Sequence, residues 1–194
     1  MLTENETKNL LKETEALMEG HFILSSGLRS DKYVQCAKLL MHPKKSEIIC
    51  KSLAEKIKNS KINFDIIVSP AIGGILAGYE VSRHLGVPSF FTERVDGEFT
   101  LRRGFEFKEY KNVLIVEDVI TTGKSSLECT AAIEKLGGFV TGYACIIDRS
   151  GDNFLIKTKI ISQIKLMIPS FSADNLPEKL KNIKAIKPGS RETI

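Results

Sequence analysis

The chain has 194 residues, with 28 Lys and Arg against 24 Asp and Glu for a formal net charge of +4; 42% of residues are hydrophobic and 27% charged. That length and composition fit one soluble globular domain with a sizeable core and exclude a disordered or fibrous chain. The charge is too mild for the dense basic stripe of a nucleic-acid binder, whereas a small positive excess suits an enzyme of anionic substrates.

Cys36, Cys50, Cys129 and Cys145 are scattered, with no CxxC pair and no His at metal spacing. Each therefore reads as a small buried apolar residue rather than a ligand or a bridge. No cationic-then-apolar leader opens the sequence, and no apolar run reaches the roughly 18 residues of a membrane span. A cytoplasmic protein with neither membrane nor nucleic acid as partner is expected.

Residues 3–18 predict an amphipathic helix carrying Leu10, Leu11 and Leu17, with Thr3 as cap and Gly20 as stop. Phe22–Leu24 and Tyr33–Gln35 predict two strands around a Ser25-Ser26-Gly27 turn. Pro43 and Lys44 begin a second helix, with Ile49, Leu53 and Ile57 on one side and lysines on the solvated other. Phe64–Ser69 then predicts the first strand of a parallel sheet. It runs into Pro70-Ala71-Ile72-Gly73-Gly74 and a helix through about Leu85, closed by Gly86 and Pro88. A Gly-rich turn between strand and helix is a potential anion cradle.

Pro88–Thr92 reads as the next strand. Residues 93–110, ERVDGEFTLRRGFEFKEY, are charged and aperiodic, which suits either a hairpin flap or a mobile lid. As a lid they would carry Arg94, Arg102 and Arg103 over a bound anion. As a surface hairpin they leave those arginines solvated, the reading that suits Arg103 best. Phe139–Ile147 predicts a further strand leading to Asp148-Arg149. An arginine just past the carboxyl end of a parallel strand lies on the ligand-binding edge, where its planar fork can grip a carboxylate; an ion pair with Asp148 or Asp152 is the plainer alternative. A strand near Lys159–Ile161 and a helix cap at Ser172-Ala173-Asp174 precede a KPGSR segment at residues 187–191.

The stretch that organises the rest is VLIVEDVITTGKS, Val113 to Ser125. A buried strand from Val113 runs into Glu117 and Asp118, a turn follows at Ile120-Thr121-Thr122-Gly123, and Lys124 and Ser125 open a helix. Cys129, Ala132, Ile133 and Leu136 share one face of that helix, and Gly137-Gly138 ends it. Unpaired N–H groups at the helix start favour an anion, Thr121, Thr122 and Ser125 add hydroxyls, and Gly123 lets the backbone come close. A nucleotide P-loop would need glycine at Asp118. Two carboxylates beside a phosphate site instead fit the vicinal hydroxyls of a ribose 5-phosphate, unless they are only a solvated strand end.

This stretch resembles the phosphoribosyl-pyrophosphate (PRPP) signature of the type I phosphoribosyltransferases, and Val-Ile-Thr-Thr-Gly resembles the orotate phosphoribosyltransferase branch. The G-x-F-x-L-x-S-G pattern at residues 20–27 is similar to that branch's N-terminal hood over the base, and KPGSR to the ending of its shorter members. The resemblance implies an α/β parallel sheet flanked by helices under a small hood: residues 1–42 as hood, 43–165 as core, 93–110 as mobile lid and 166–194 as C-terminal extension of one domain. It implies PRPP binding by Glu117, Asp118, Val119, Ile120, Thr121, Thr122, Gly123, Lys124, Ser125 and Arg94. Glu117, Asp118 and Arg94 would serve catalysis, and Thr121 and Arg149 would bind orotate. Mg²⁺ held by PRPP, with no direct protein ligand, and a homodimer are also implied. Ser25 and Ile72-Gly73 stand where relatives carry lysines, and the lid has no His.

The expected activity is Mg²⁺-dependent transfer of ribose 5-phosphate from PRPP to N1 of orotate, giving orotidine 5′-monophosphate and pyrophosphate in pyrimidine synthesis. Another purine or pyrimidine phosphoribosyltransferase would share the 113–125 site without the carboxylate grip. A PRPP-sensing regulator that binds nucleic acid would share only the fold.

Overall fold

The computed structural model describes residues 1–24 and 26–188. Helix α1 (Glu4–Glu13) starts at a capping box in which Thr3 and Glu6 satisfy each other's backbone N–H groups. It is shorter than the leucine spacing suggests. Glu15 takes a left-handed φ of 54°, and Leu17 begins β1 (Leu17–Ile23) instead of extending the helix. β1 pairs antiparallel with β2 (Arg29–Val34) across a turn in which Gly27 N–H donates to the Leu24 carbonyl. A short helix with no clear sequence signal, α2 (Cys36–Leu40), leads into α3 (Pro43–Ser60).

From here strands alternate with helices: β3 (Ile66–Pro70), α4 (Gly73–Leu85), β4 (Ser89–Val95), β5 (Glu98–Leu101), β6 (Asn112–Ile120), α5 (Lys124–Lys135), β7 (Phe139–Asp148) and β8 (Ile160–Lys165). The sheet order is β5-β4-β3-β6-β7-β8. Five strands are parallel and β5 is antiparallel at one edge, so the sheet is mixed rather than wholly parallel. The reason lies in the segment read as a lid. β4 continues through Val95, and a tight Asp96-Gly97 turn folds β5 back along it, with Phe99 buried. Residues 93–101 are thus a sheet hairpin. Farther on, Phe105 stacks on Phe90, with ring centroids 4.4 Å apart, and Phe107 is buried.

Side-chain alternation along the central strands builds two cores. Ile67, Leu114, Val116, Ala144 and Ile146 face α1, α2, α3 and α4. Ile66, Val68, Val113, Ile115 and Cys145 face α5, Phe99 and Phe107. Each fully buried Leu or Ile contributes about 1.5–3 kcal/mol relative to exposure. On α5 the buried face is Ser126, Cys129, Ala132 and Ile133; Leu136, expected there, sits at the C-cap and is half exposed. All four cysteines are buried as free thiols.

The chain after β8 returns to the β1–β2 hairpin, part of the N-terminal segment read above as a hood. Ser30 Oγ donates to the Pro169 carbonyl at 2.9 Å, Phe171 bridges Arg29, and Ile186 bridges Phe22. The helix expected from Ser172 starts later: residues 173–175 turn, and Pro177 precedes the short α6 (Glu178–Lys181). Ser25 and the end of KPGSR lie outside the described residues.

Candidate active site

Two strand-to-helix turns meet at the carboxyl edge of the sheet. In the first, β6 runs past both carboxylates, because Val119 and Ile120 still pair with Ile147 and Asp148 of β7. Thr121-Thr122-Gly123 then turns into α5. Gly123 has φ of 80°, and a Cβ there would stand 2.7 Å from Ile156 Cγ1, so both backbone conformation and space require glycine. Thr122 is anchored at both ends: its Oγ1 accepts from Lys124 N–H at 3.3 Å, and its carbonyl accepts from Leu155 N–H at 2.9 Å. Glu117 and the run from Val119 to Ser125 line a cavity of about 140 Å³ over the helix start. Unpaired helix-terminal N–H groups, two exposed threonines and Lys124 make it suited to an anion.

Strand alternation sends the two acidic side chains to opposite faces. Glu117 points toward α5, where Ser126 Oγ donates to its Oε1. Burial pushes the Glu117 carboxyl up to about 7, opposed by the Ser126 hydrogen bond and assisted by the charge of Asp118. Asp118 points to the other face, against the second turn, Ala71 to Gly74. A Cβ on Gly73 would lie 2.8 Å from Asp118 Oδ1, so the Asp118 carboxylate occupies the space a side chain would need. Burial raises the Asp118 pKa too, opposed by the N–H groups of Val119 and of Asp118 itself. Cys36, at the start of α2, sets its thiol 3.8 Å from the Asp118 carbonyl, which brings the hood to this edge.

Arg149 follows β7. Its N–H donates to the Ile120 carbonyl at 2.8 Å, fixing it beside the loop. The guanidinium is largely desolvated, which lowers its pKa, while Tyr33 of the hood raises it. Nε is buried and has no hydrogen-bond partner among the described residues. The simple ion pair with Asp148 is not formed: Asp148 accepts from Ser150 N–H at 2.7 Å and faces Lys165 at 3.8 Å. A buried, under-satisfied guanidinium at a ligand edge is suited to a carboxylate.

Arg94 is not brought to the loop cavity. It pairs with Glu128 of α5, donates to the Gly97 carbonyl and lies 4.0 Å over the Phe99 ring. These groups border a larger cavity of about 270 Å³ between the hairpin and α5, which none of the loop residues lines. Arg103 pairs with Glu93 at 2.8 Å on the surface. The residue that sequence reasoning passed over is Ser126. Its signal was present, since Ser126, Cys129 and Ile133 share the buried helical face.

The phosphoribosyl transferase domain family model matches residues 38–174. The orotate phosphoribosyltransferase of Parvibaculum lavamentivorans is 48% identical over 190 residues, covering 96% of this chain and 98% of that protein. That of Maricaulis maris is 46% identical over 191 residues, covering 98% of each. Among solved structures, orotate phosphoribosyltransferase from Aeropyrum pernix superposes with a TM-score of 0.66 at 21% identity, covering 82% of this chain and 93% of its own. The Mycobacterium tuberculosis orotate phosphoribosyltransferase in complex with PRPP gives 0.63 at 22%, covering 82% and 95%. At those identities the structures speak to the fold, and the fold agrees.

Proposed function

This chain belongs to the phosphoribosyl transferase family, and we propose that it acts as an orotate phosphoribosyltransferase. The observation that carries the reading is Arg149, whose buried Nε, beside the loop, has no partner among the described residues. A base bearing a carboxylate answers that vacancy in charge and in geometry; a purine or uracil does not.

In the proposed reaction the bond from ribose C1 to pyrophosphate breaks as N1 of orotate bonds to C1. Pyrophosphate leaves with the electron pair, and N1 releases its proton. The turn from Thr121 to Ser125 holds the 5′-phosphate by backbone N–H groups and hydroxyls. Glu117 accepts from the ribose hydroxyls and, with Asp118, favours the positive charge that develops on the ring. Thr121 and Arg149 fix the base. Pyrophosphate lies along Ala71–Gly74, held by backbone N–H groups beside the Asp118 carboxylate that packs against Gly73. Mg²⁺, carried by the substrate, would supply positive charge beside Asp118 when bound. Arg94 contributes only by exchanging Glu128 for the leaving group.

We place the enzyme in the cytoplasm as a homodimer. Free buried thiols suit a reducing compartment. No helix among the described residues is long and apolar enough to cross a membrane. For the dimer, α4 presents an exposed apolar stripe that includes Leu76 and Tyr79, 55% and 63% exposed.

The deciding assay follows orotate absorbance with PRPP, Mg²⁺ and protein. A protein-dependent loss, reversed from orotidine 5′-monophosphate plus pyrophosphate, is expected. Arg149→Ala should raise the orotate KM at least tenfold while leaving PRPP affinity within twofold. An unchanged orotate KM, or turnover only with other bases, overturns the assignment.

A further inference from the structure

We infer that Ser126 is a positioning residue that clamps one oxygen of Glu117 and leaves the other to accept from a ribose diol. The proposal rests on the phosphoribosyl-transfer reading and adds to it a residue outside the loop. Ser126 is fully buried on the third position of α5 and donates its hydroxyl to Glu117 Oε1. No described residue donates to the other carboxylate oxygen, and Glu117 lines the loop cavity. One oxygen is therefore fixed and the other is free for a ligand hydroxyl.

The clamp is itself anchored. Thr130 Oγ1 donates to the Ser126 carbonyl at 2.9 Å and lies 2.8 Å from the Tyr143 hydroxyl on β7. The first turn of α5 is thereby tied to the sheet.

A hydrogen bond donated to a carboxylate favours the charged form, and here it works against burial. The other groups around Glu117 offer no such help. Asp118, its neighbour on β6, carries like charge. Cys129 of α5 is pushed up to about 12 and Cys145 of β7 is also raised, so both stay neutral. Thr92 of β4 contacts Cys129 rather than Glu117. Lys124 faces Glu128 at 3.8 Å. Ser126 is thus the one described group whose hydrogen bond favours the charged form of Glu117 against burial.

The test compares the pH profile of kcat/KM for PRPP in wild type, Ser126→Ala, Ser126→Thr and the Glu117→Gln/Ser126→Ala pair. Ser126→Ala should move the acidic limb upward by about one pH unit, a loss on the order of tenfold at pH 6.5 that fades above pH 9. Ser126→Thr, which keeps the hydroxyl, should restore the limb. In the Glu117→Gln background, Ser126→Ala should leave the shape of the profile unchanged. A uniform loss at every pH, or an unmoved limb in an active enzyme, overturns the proposal. The ligand-free midpoint of melting temperature against pH should rise with Ser126→Ala as well. This second readout separates the two readings, because an enzyme inactive on orotate would still show it, and an unmoved midpoint sinks the clamp.

Discussion

Replacing Glu117 by glutamine removes one titration and leaves the side chain's shape. In the folded protein this carboxyl has a pKa of about 7, against an ordinary value of 4.5. Between those values the folded state binds more protons than the unfolded one, so stability falls as pH rises and the loss is complete above pH 7. Integrated from pH 5.5 to pH 8, the linkage amounts to about 2 kcal/mol, or roughly 4–8 °C in melting temperature for a chain of this size. Scanning calorimetry of both proteins over that range reads it directly. Wild type should lose those degrees relative to Glu117→Gln, whatever constant offset the amide introduces. Parallel curves would refute the reasoning, since they would mean that Glu117 ionises as freely as in the unfolded chain. A ribose diol donating to the carboxylate acts in the opposite direction, so PRPP should stabilise wild type more at pH 8 than at pH 5.5.

Two further predictions concern neighbouring features. Gly73→Ala places its methyl 2.8 Å from Asp118 Oδ1; the carboxylate must swing aside, so kcat/KM for PRPP should fall at least tenfold while the melting temperature moves by less than about 3 °C. Steady-state kinetics beside a thermal melt checks both halves, and full activity would show that Asp118 need not stay where it is. Leu76→Glu puts charge in the middle of the exposed stripe on α4 and should convert a dimer to a monomer in sedimentation velocity. An undisturbed dimer would assign that interface to another surface.

Much of the site was legible along the chain because it is local. A buried apolar run, acidic residues, hydroxyls and a glycine between Val113 and Ser125 specify strand, turn and helix start within thirteen positions. The run Pro70 to Gly74 likewise marked a second turn, α3 begins at Pro43 as expected, and α4 ends at Leu85 before Gly86. Leu17 misled because its spacing from Leu10 also suits a helix, and only pairing with Val34 makes it strand.

What the sequence by itself determined, then, is the α/β class, the two turns and which residue types line the turn after β6. Helix and strand periodicity, caps and turn chemistry act over a few neighbours and need no knowledge of the fold. The tertiary structure alone decided partners. Arg94 is held by Glu128 across 34 positions, the Arg149 charge faces Tyr33 of the hood, and β5 folds back to close the sheet edge. It also set Glu117 against Ser126 and Asp118 against Gly73. Their contacts depend on how strands register and which helices cover each face, and so does the balance of burial and charge that sets their protonation.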